Sequence, residues 1–126
     1  ERQARRLIEL SPDAARGYSL LGDSLLAEQK SLSEAASVLA KATALTVKEN
    51  KPFYAQKEAQ AWLLLGDPRR AYQTLLPYSR TYIEKGRHDM VFRLAELARS
   101  AELHSASEHW LRIALEMTSG SAAQVH

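Results

Sequence analysis

Three segments of this chain carry one pattern of small and large residues at a fixed spacing. Ala35, Leu39 and Ala42 recur as Ala71, Leu75 and Tyr78, and again as Ser107, Leu111 and Ala114, displaced by 36 residues each time. A second echo precedes each triad. Tyr18, Leu21, Gly22 and Leu25 return as Ala55, Glu58, Ala59 and Trp62 and then as Val91, Leu94, Ala95 and Ala98, displaced by 37 and then 36 residues. A period of this length is the mark of a stacked helical array, whose short units bury their apolar faces only against one another. Such arrays present a surface to a partner more often than they enclose a reaction centre.

Composition agrees with helix throughout. Leu, Ala, Glu, Gln, Arg and Lys dominate, Gly and Pro are sparse at 5 and 4, and 45% of the 126 residues are apolar. That mixture favours helix and supplies one continuous core. The expected fold is all-α, a single domain over 1–126 divided into 1–10, 12–46, 51–85, 88–117 and a polar tail at 118–126.

Local signals place the helix ends. Glu1 to Leu10 sets Ala4, Leu7 and Ile8 on one face and reads as the second helix of a truncated repeat. Ser11 as cap and Pro12 in the first turn open the next helix, with Asp13 suited to its positive end. Lys30-Ser31 makes a turn, and Ser31 with Glu34 forms a capping box, as does Ser105 with Glu108. Asn50-Lys51-Pro52 opens a helix that closes at Gly66-Asp67-Pro68, a turn short enough to make its helices antiparallel neighbours. Pro77 lacks an amide donor, which predicts a break near Leu76. The last helix is expected to finish near Met117, with a frayed tail to His126.

Packing follows from the repeated positions. Gly22, Ala59 and Ala95 are small where a partner helix comes close, and Ala35, Ala71 and Ser107 serve the same crossing from the other side. Small meets small there, while Leu39, Leu75 and Leu111 fill the layer between successive pairs. Trp62, Trp110 and the tyrosines have core spacing.

These residues resemble the tetratricopeptide repeat. Tyr18, Leu21 and Gly22 match the first part of its pattern, and Trp62, Gly66, Asp67 and Ala71 match the later part. The third unit departs furthest, with Ser107 for alanine and no glycine in its turn. The resemblance implies a right-handed superhelical array of antiparallel helix pairs, an α-solenoid whose first helices line a concave groove for a peptide or helix of another protein. Carried over by position, that groove is lined by Arg16, Ser19, Asp23, Leu26 and Ala27, then by Phe53, Gln56, Lys57, Gln60 and Leu64. The third unit adds Asp89, Phe92, Arg93, Glu96 and Arg99. Phe53 and Phe92 are read either as anchors for the partner or as core. One branch of the family grips acidic C-terminal tails with lysines, asparagines and an arginine. The matching places here hold Ser19, Asp23, Lys57, Asp89 and Arg93, and the two aspartates would repel such a tail.

Other functions find little support. The 17 basic residues are interleaved with 15 acidic ones, a mixed surface and not a nucleic-acid footprint. No apolar run reaches the roughly 18 to 20 residues that span a bilayer, and the longest candidate, Trp62 to Leu65, reads as a buried helix end. The absence of cysteine removes disulfides and thiolate chemistry. His104, Glu108 and His109 cluster in sequence without further ligands in register, so neither a metal, a cofactor nor an enzyme activity is expected. Pairs such as Arg5-Arg6 and Arg69-Arg70 read as solvated helix surface. The chain starts at Glu1 and reads as a fragment of a larger, soluble bacterial protein, cytoplasmic or periplasmic. A second functional reading is a structural spacer that self-associates through the open ends of the array.

Overall fold

The computed structural model describes residues 1–11, 13–29 and 31–125, with side chains as far as residue 119. The parts expected of Pro12, Lys30 and His126 lie outside the described residues. Eight α-helices account for most of what is described: α1 Arg2–Leu10, α2 Ala15–Glu28, α3 Leu32–Leu45, α4 Lys51–Leu64, α5 Pro68–Leu75, α6 Ser79–Glu84, α7 His88–Ser100 and α8 His104–Val125. No strand occurs among the described residues. The helices gather into two compact units, Glu1–Asp67 and Pro68–His126. The division falls inside the repeat expected at 51–85.

In the first unit each helix packs on the next, and α2 also touches α4. Ala4, Leu21, Leu25 and Ala35 form one buried cluster, walled by Ile8, Leu26 and Val38. A second joins Ala36, Leu39 and Ala61, with Leu26 and Trp62 against it. α2 and α3 are tightly packed at Gly22, as the repeat implied, but the neighbour there differs from the expected one. Leu39 fills the space that a Cβ on Gly22 would occupy, so a large residue meets a small one and Leu39 serves both its own pair and α4. Gly17, whose packing role the repeat did not reveal, seats α1: a Cβ there would lie 3.0 Å from Ile8 Cγ1 and 3.2 Å from the Ile8 amide nitrogen.

In the second unit α5 and α6 pack on α7, and α7 on α8. The Pro77 break is present, since α5 ends at Leu75 and a 3-10 turn, Leu76–Tyr78, precedes α6. The expected small-on-small crossing holds in this unit, where Ser107 Oγ donates to the Ala95 carbonyl at 2.9 Å. Leu111, by contrast, is 38% exposed and fills no layer. The helix that carries it continues to Val125, past the expected end at Met117. Leu64 and Leu65, read from sequence as a buried helix end, are also exposed.

Capping is where local sequence signals misled. Ser31 adopts φ 43°, ψ 56° and makes no side-chain cap, because a left-handed residue aims its hydroxyl away from the amides that an extended N-cap reaches. Its intended partner Glu34 instead accepts from Arg5 of α1, at 3.2 Å to each oxygen. Ser105 falls inside the first turn of α8, where the Leu103 carbonyl already accepts the Ser107 amide at 2.9 Å. Ser11 closes α1, its N–H bonded to the Leu7 carbonyl, and α2 starts later, behind Ala14, without a side-chain cap. An unforeseen cap appears at the other end of α3: Lys51 Nζ donates to the Thr43 and Ala44 carbonyls at 2.7 and 3.0 Å, satisfying acceptors that have no partner within the helix.

The turns between paired helices repeat in backbone where they do not repeat in sequence. Gln29, Gly66 and Glu102 stand 37 and then 36 residues apart and have φ of 53°, 81° and 63°. After α4 the Gly66 amide bonds the Leu63 carbonyl and the Asp67 amide that of Trp62; after α7 Glu102 bonds Arg99 and Leu103 bonds Ala98. This is the same pair of bonds that closes a helix through a left-handed residue. The third turn therefore lacks the glycine and keeps the geometry. A Cβ at Gly66 would have nothing within 4 Å, so only the backbone strain distinguishes glycine from glutamate here. Glu102→Gly should stabilise the protein by about 1 kcal/mol, and Gly66→Ala should cost a similar amount. Thermal unfolding of both variants checks the pair, and a lower midpoint for Glu102→Gly would contradict the assigned turn.

Candidate interaction face

Four of the residues placed in the groove by position meet on one face of the first unit. Lys57 Nζ, from α4, donates to Asp23 Oδ2 at 2.9 Å and to Ser19 Oγ at 3.3 Å, both on α2. The same ammonium lies 5.3 Å from the centroid of the Phe53 ring, one turn earlier on α4. The spacing explains the convergence: Ser19 and Asp23 are i, i+4 on α2, as Phe53 and Lys57 are on α4, so each pair occupies a single stripe. Ser19 is buried, while Lys57 and Asp23 keep 28% and 44% of their side chains exposed. An ion pair that wet contributes under about 1 kcal/mol, so its effect is to fix geometry more than to stabilise.

Phe53 is 58% exposed, which removes the core reading for it. Its neighbour Tyr54 lies at 5.8 Å between ring centroids, tilted by 50°. Gln56 is half-buried and Gln60 exposed along the same stripe, with Leu64 43% exposed at its end. On α2, Arg16 and Ala27 are exposed and Leu26 is half-buried in the core clusters. Leu20, 39% exposed, belongs with this face, although the carry-over by position passed it over. Its position four residues after Arg16 was the signal.

The second unit carries its own stripe on α7. Asp89, Phe92, Arg93, Glu96 and Arg99 are all exposed, Phe92 at 46%. Asp89 is engaged within its own helix end: Arg87 donates from Nε and an Nη to its two carboxylate oxygens, each at 3.0 Å. Those bonds hold the Asp89 carboxyl below its usual range, against a smaller opposing effect of burial, and hold the Arg87 guanidinium above its own. Among the described residues Arg93, Glu96 and Arg99 make no ion pair. Phe92 is thus flanked by charges that have no partner on the described chain.

Of the remaining candidates, Arg5 is exposed and bridges Glu1 and Glu34. His104 opens α8, and His109 packs edge-on to Trp110 at 4.7 Å. Among the described residues no three His, Asp or Glu side chains converge to hold a metal ion. Among them, too, no helix is long and apolar enough to cross a membrane. No protein-family model matches the sequence, and no curated protein matches it.

Proposed function

We propose that this chain is an interaction module of the tetratricopeptide-repeat kind, an α-solenoid that holds a peptide or helix of a partner protein and performs no catalysis. The observation that carries the reading is the α2 and α4 face, where Lys57 is fixed by Asp23 and Ser19 while Phe53 stays exposed beside it. An exposed aromatic held next to a satisfied polar cluster is the composition of a binding hot spot, because the ring gains by being covered and the polar groups are already oriented.

The neutralised charge shapes the ligand. With Lys57 matched by Asp23, this face keeps the single charge of Arg16, too little to recruit a uniformly acidic or basic tail. It favours an amphipathic segment with an apolar residue against Phe53 and polar groups reaching Gln56 and Gln60. No nucleic-acid or cofactor role is assigned to it.

Panning a displayed peptide library against the protein tests the proposal. Enriched peptides should bind the parent chain and lose affinity by about tenfold or more on Phe53→Ala, in line with loss of an aromatic anchor. The Phe92→Ala/Arg93→Ala variant asks the same of the α7 stripe. Peptides whose affinity ignores both variants, in proteins of unchanged helicity, would defeat the groove assignment.

A further inference from the structure

We infer that the outward face of α8 pairs with the same face of a second copy of this chain, the two helices running antiparallel about a two-fold axis. The first observation is a leucine out of place. Leu111 occupies the repeat position of Leu39 and Leu75, each of which is 1% exposed, whereas Leu111 is 38% exposed and Leu115, one turn on, is 58% exposed. Leu39 is covered by a helix, since Ala61 and Trp62 of α4 pack with it. Position 111 therefore has the side chain that elsewhere in the array receives a helix, and it carries that side chain on an open face.

The second observation is the order of charges beside the leucines. Glu108, Arg112 and Glu116 follow one another at i, i+4 and i+8, forming a ridge next to Leu111 and Leu115 on the exposed side of α8. Among the described residues none of the three makes an ion pair. Parallel pairing of two such helices in register would oppose carboxylate to carboxylate and guanidinium to guanidinium. Antiparallel pairing centred near Ala114 sets Arg112 opposite the partner's Glu116 and brings Leu111 diagonally towards the partner's Leu115, both contacts occurring twice, while like charges stand about a helical turn apart. A face that is complementary to itself under a two-fold rotation is what an isologous dimer requires. With two leucines per copy the contact is small, so the dimer belongs to the weak, concentration-dependent class.

Sedimentation equilibrium over about a hundredfold range of concentration should show the average mass rising towards twice that of the monomer. Leu115→Glu and Arg112→Glu, both at exposed positions, should each keep the helical circular dichroism and weaken the dimer by about tenfold or more. Mixing the Arg112→Glu chain with a Glu108→Arg/Glu116→Arg chain, which presents three arginines to three glutamates, should restore association as a mixed dimer. A monomer at every concentration overturns the proposal. So does a dimer indifferent to both single variants, or one that is lost on Leu7→Glu in α1, which would move the contact to the other end of the chain.

Discussion

Leu39→Ala should lower stability by about 2–5 kcal/mol, among the largest losses available to a single substitution in this protein. Leu39 is 1% exposed and touches two other helices at once, at Gly22 of α2 and Ala61 of α4, with Ala36 of its own helix beside it. Removing it opens a cavity that two helices would have to move to close. Its contact with Gly22 gives a sharper result than the loss alone. In the parent chain Gly22→Ala gains about 1 kcal/mol of helix propensity. It also drives a methyl group into Leu39, where both the branch carbon and its methyls stand in the way, and overpacking of this kind costs about 1–3 kcal/mol. The net effect should be destabilising. In the Leu39→Ala background the obstruction is gone and the same methyl enters the cavity, so Gly22→Ala should now stabilise by about 1 kcal/mol. Urea unfolding of the four proteins measures both signs, and a stabilising Gly22→Ala in the parent would mean that the helices are not in contact as described.

That cycle also marks how far the sequence could be read. The 36-residue echo located helices and the small residue at Gly22, because these depend on positions that recur, and the Pro77 break followed from the residue type alone. The echo assigned Gly22 the wrong neighbour, since a period says which residues are equivalent and is silent about what each one touches. The capping boxes at Ser31 and Ser105 failed for a related reason. Four residues of sequence match the motif, but the backbone at Ser31 is left-handed, which its repeat counterparts Pro68 and His104 are not, and Ser105 lies inside its helix. On the candidate face, the resemblance carried over by position put Ser19, Asp23, Phe53 and Lys57 on one lining, and the structure brings the four together. The resemblance could not show that Lys57 would be neutralised by Asp23 while Arg93 and Arg99 would have no such partner, as these positions vary from unit to unit.

A larger unrepeated feature lies in the second unit, and its removal should rival the loss of Leu39. Trp110 is 9% exposed and Tyr72 7%, and the Trp110 Nε1–H donates to the Tyr72 hydroxyl at 2.8 Å. Trp110→Ala should cost about 3–5 kcal/mol, mostly from the cavity left by the indole. The hydrogen bond contributes separately and can be isolated. Tyr72→Phe keeps the ring and strands the indole N–H away from water, which costs about 1–3 kcal/mol. Trp110→Phe strands the hydroxyl instead and also leaves a gap. The double variant, with neither polar atom, avoids both stranded groups, so its loss should fall short of the sum of the single losses by about 1 kcal/mol or more. Strict additivity in urea unfolding would show that the bond is not formed. Nothing in the repeat announces this pair, because the register puts Ala36 where Tyr72 stands and Thr74 where Trp110 stands. A buried bond between two residues that the other units lack distinguishes one stack of helices from the many that the repeated positions alone would accept.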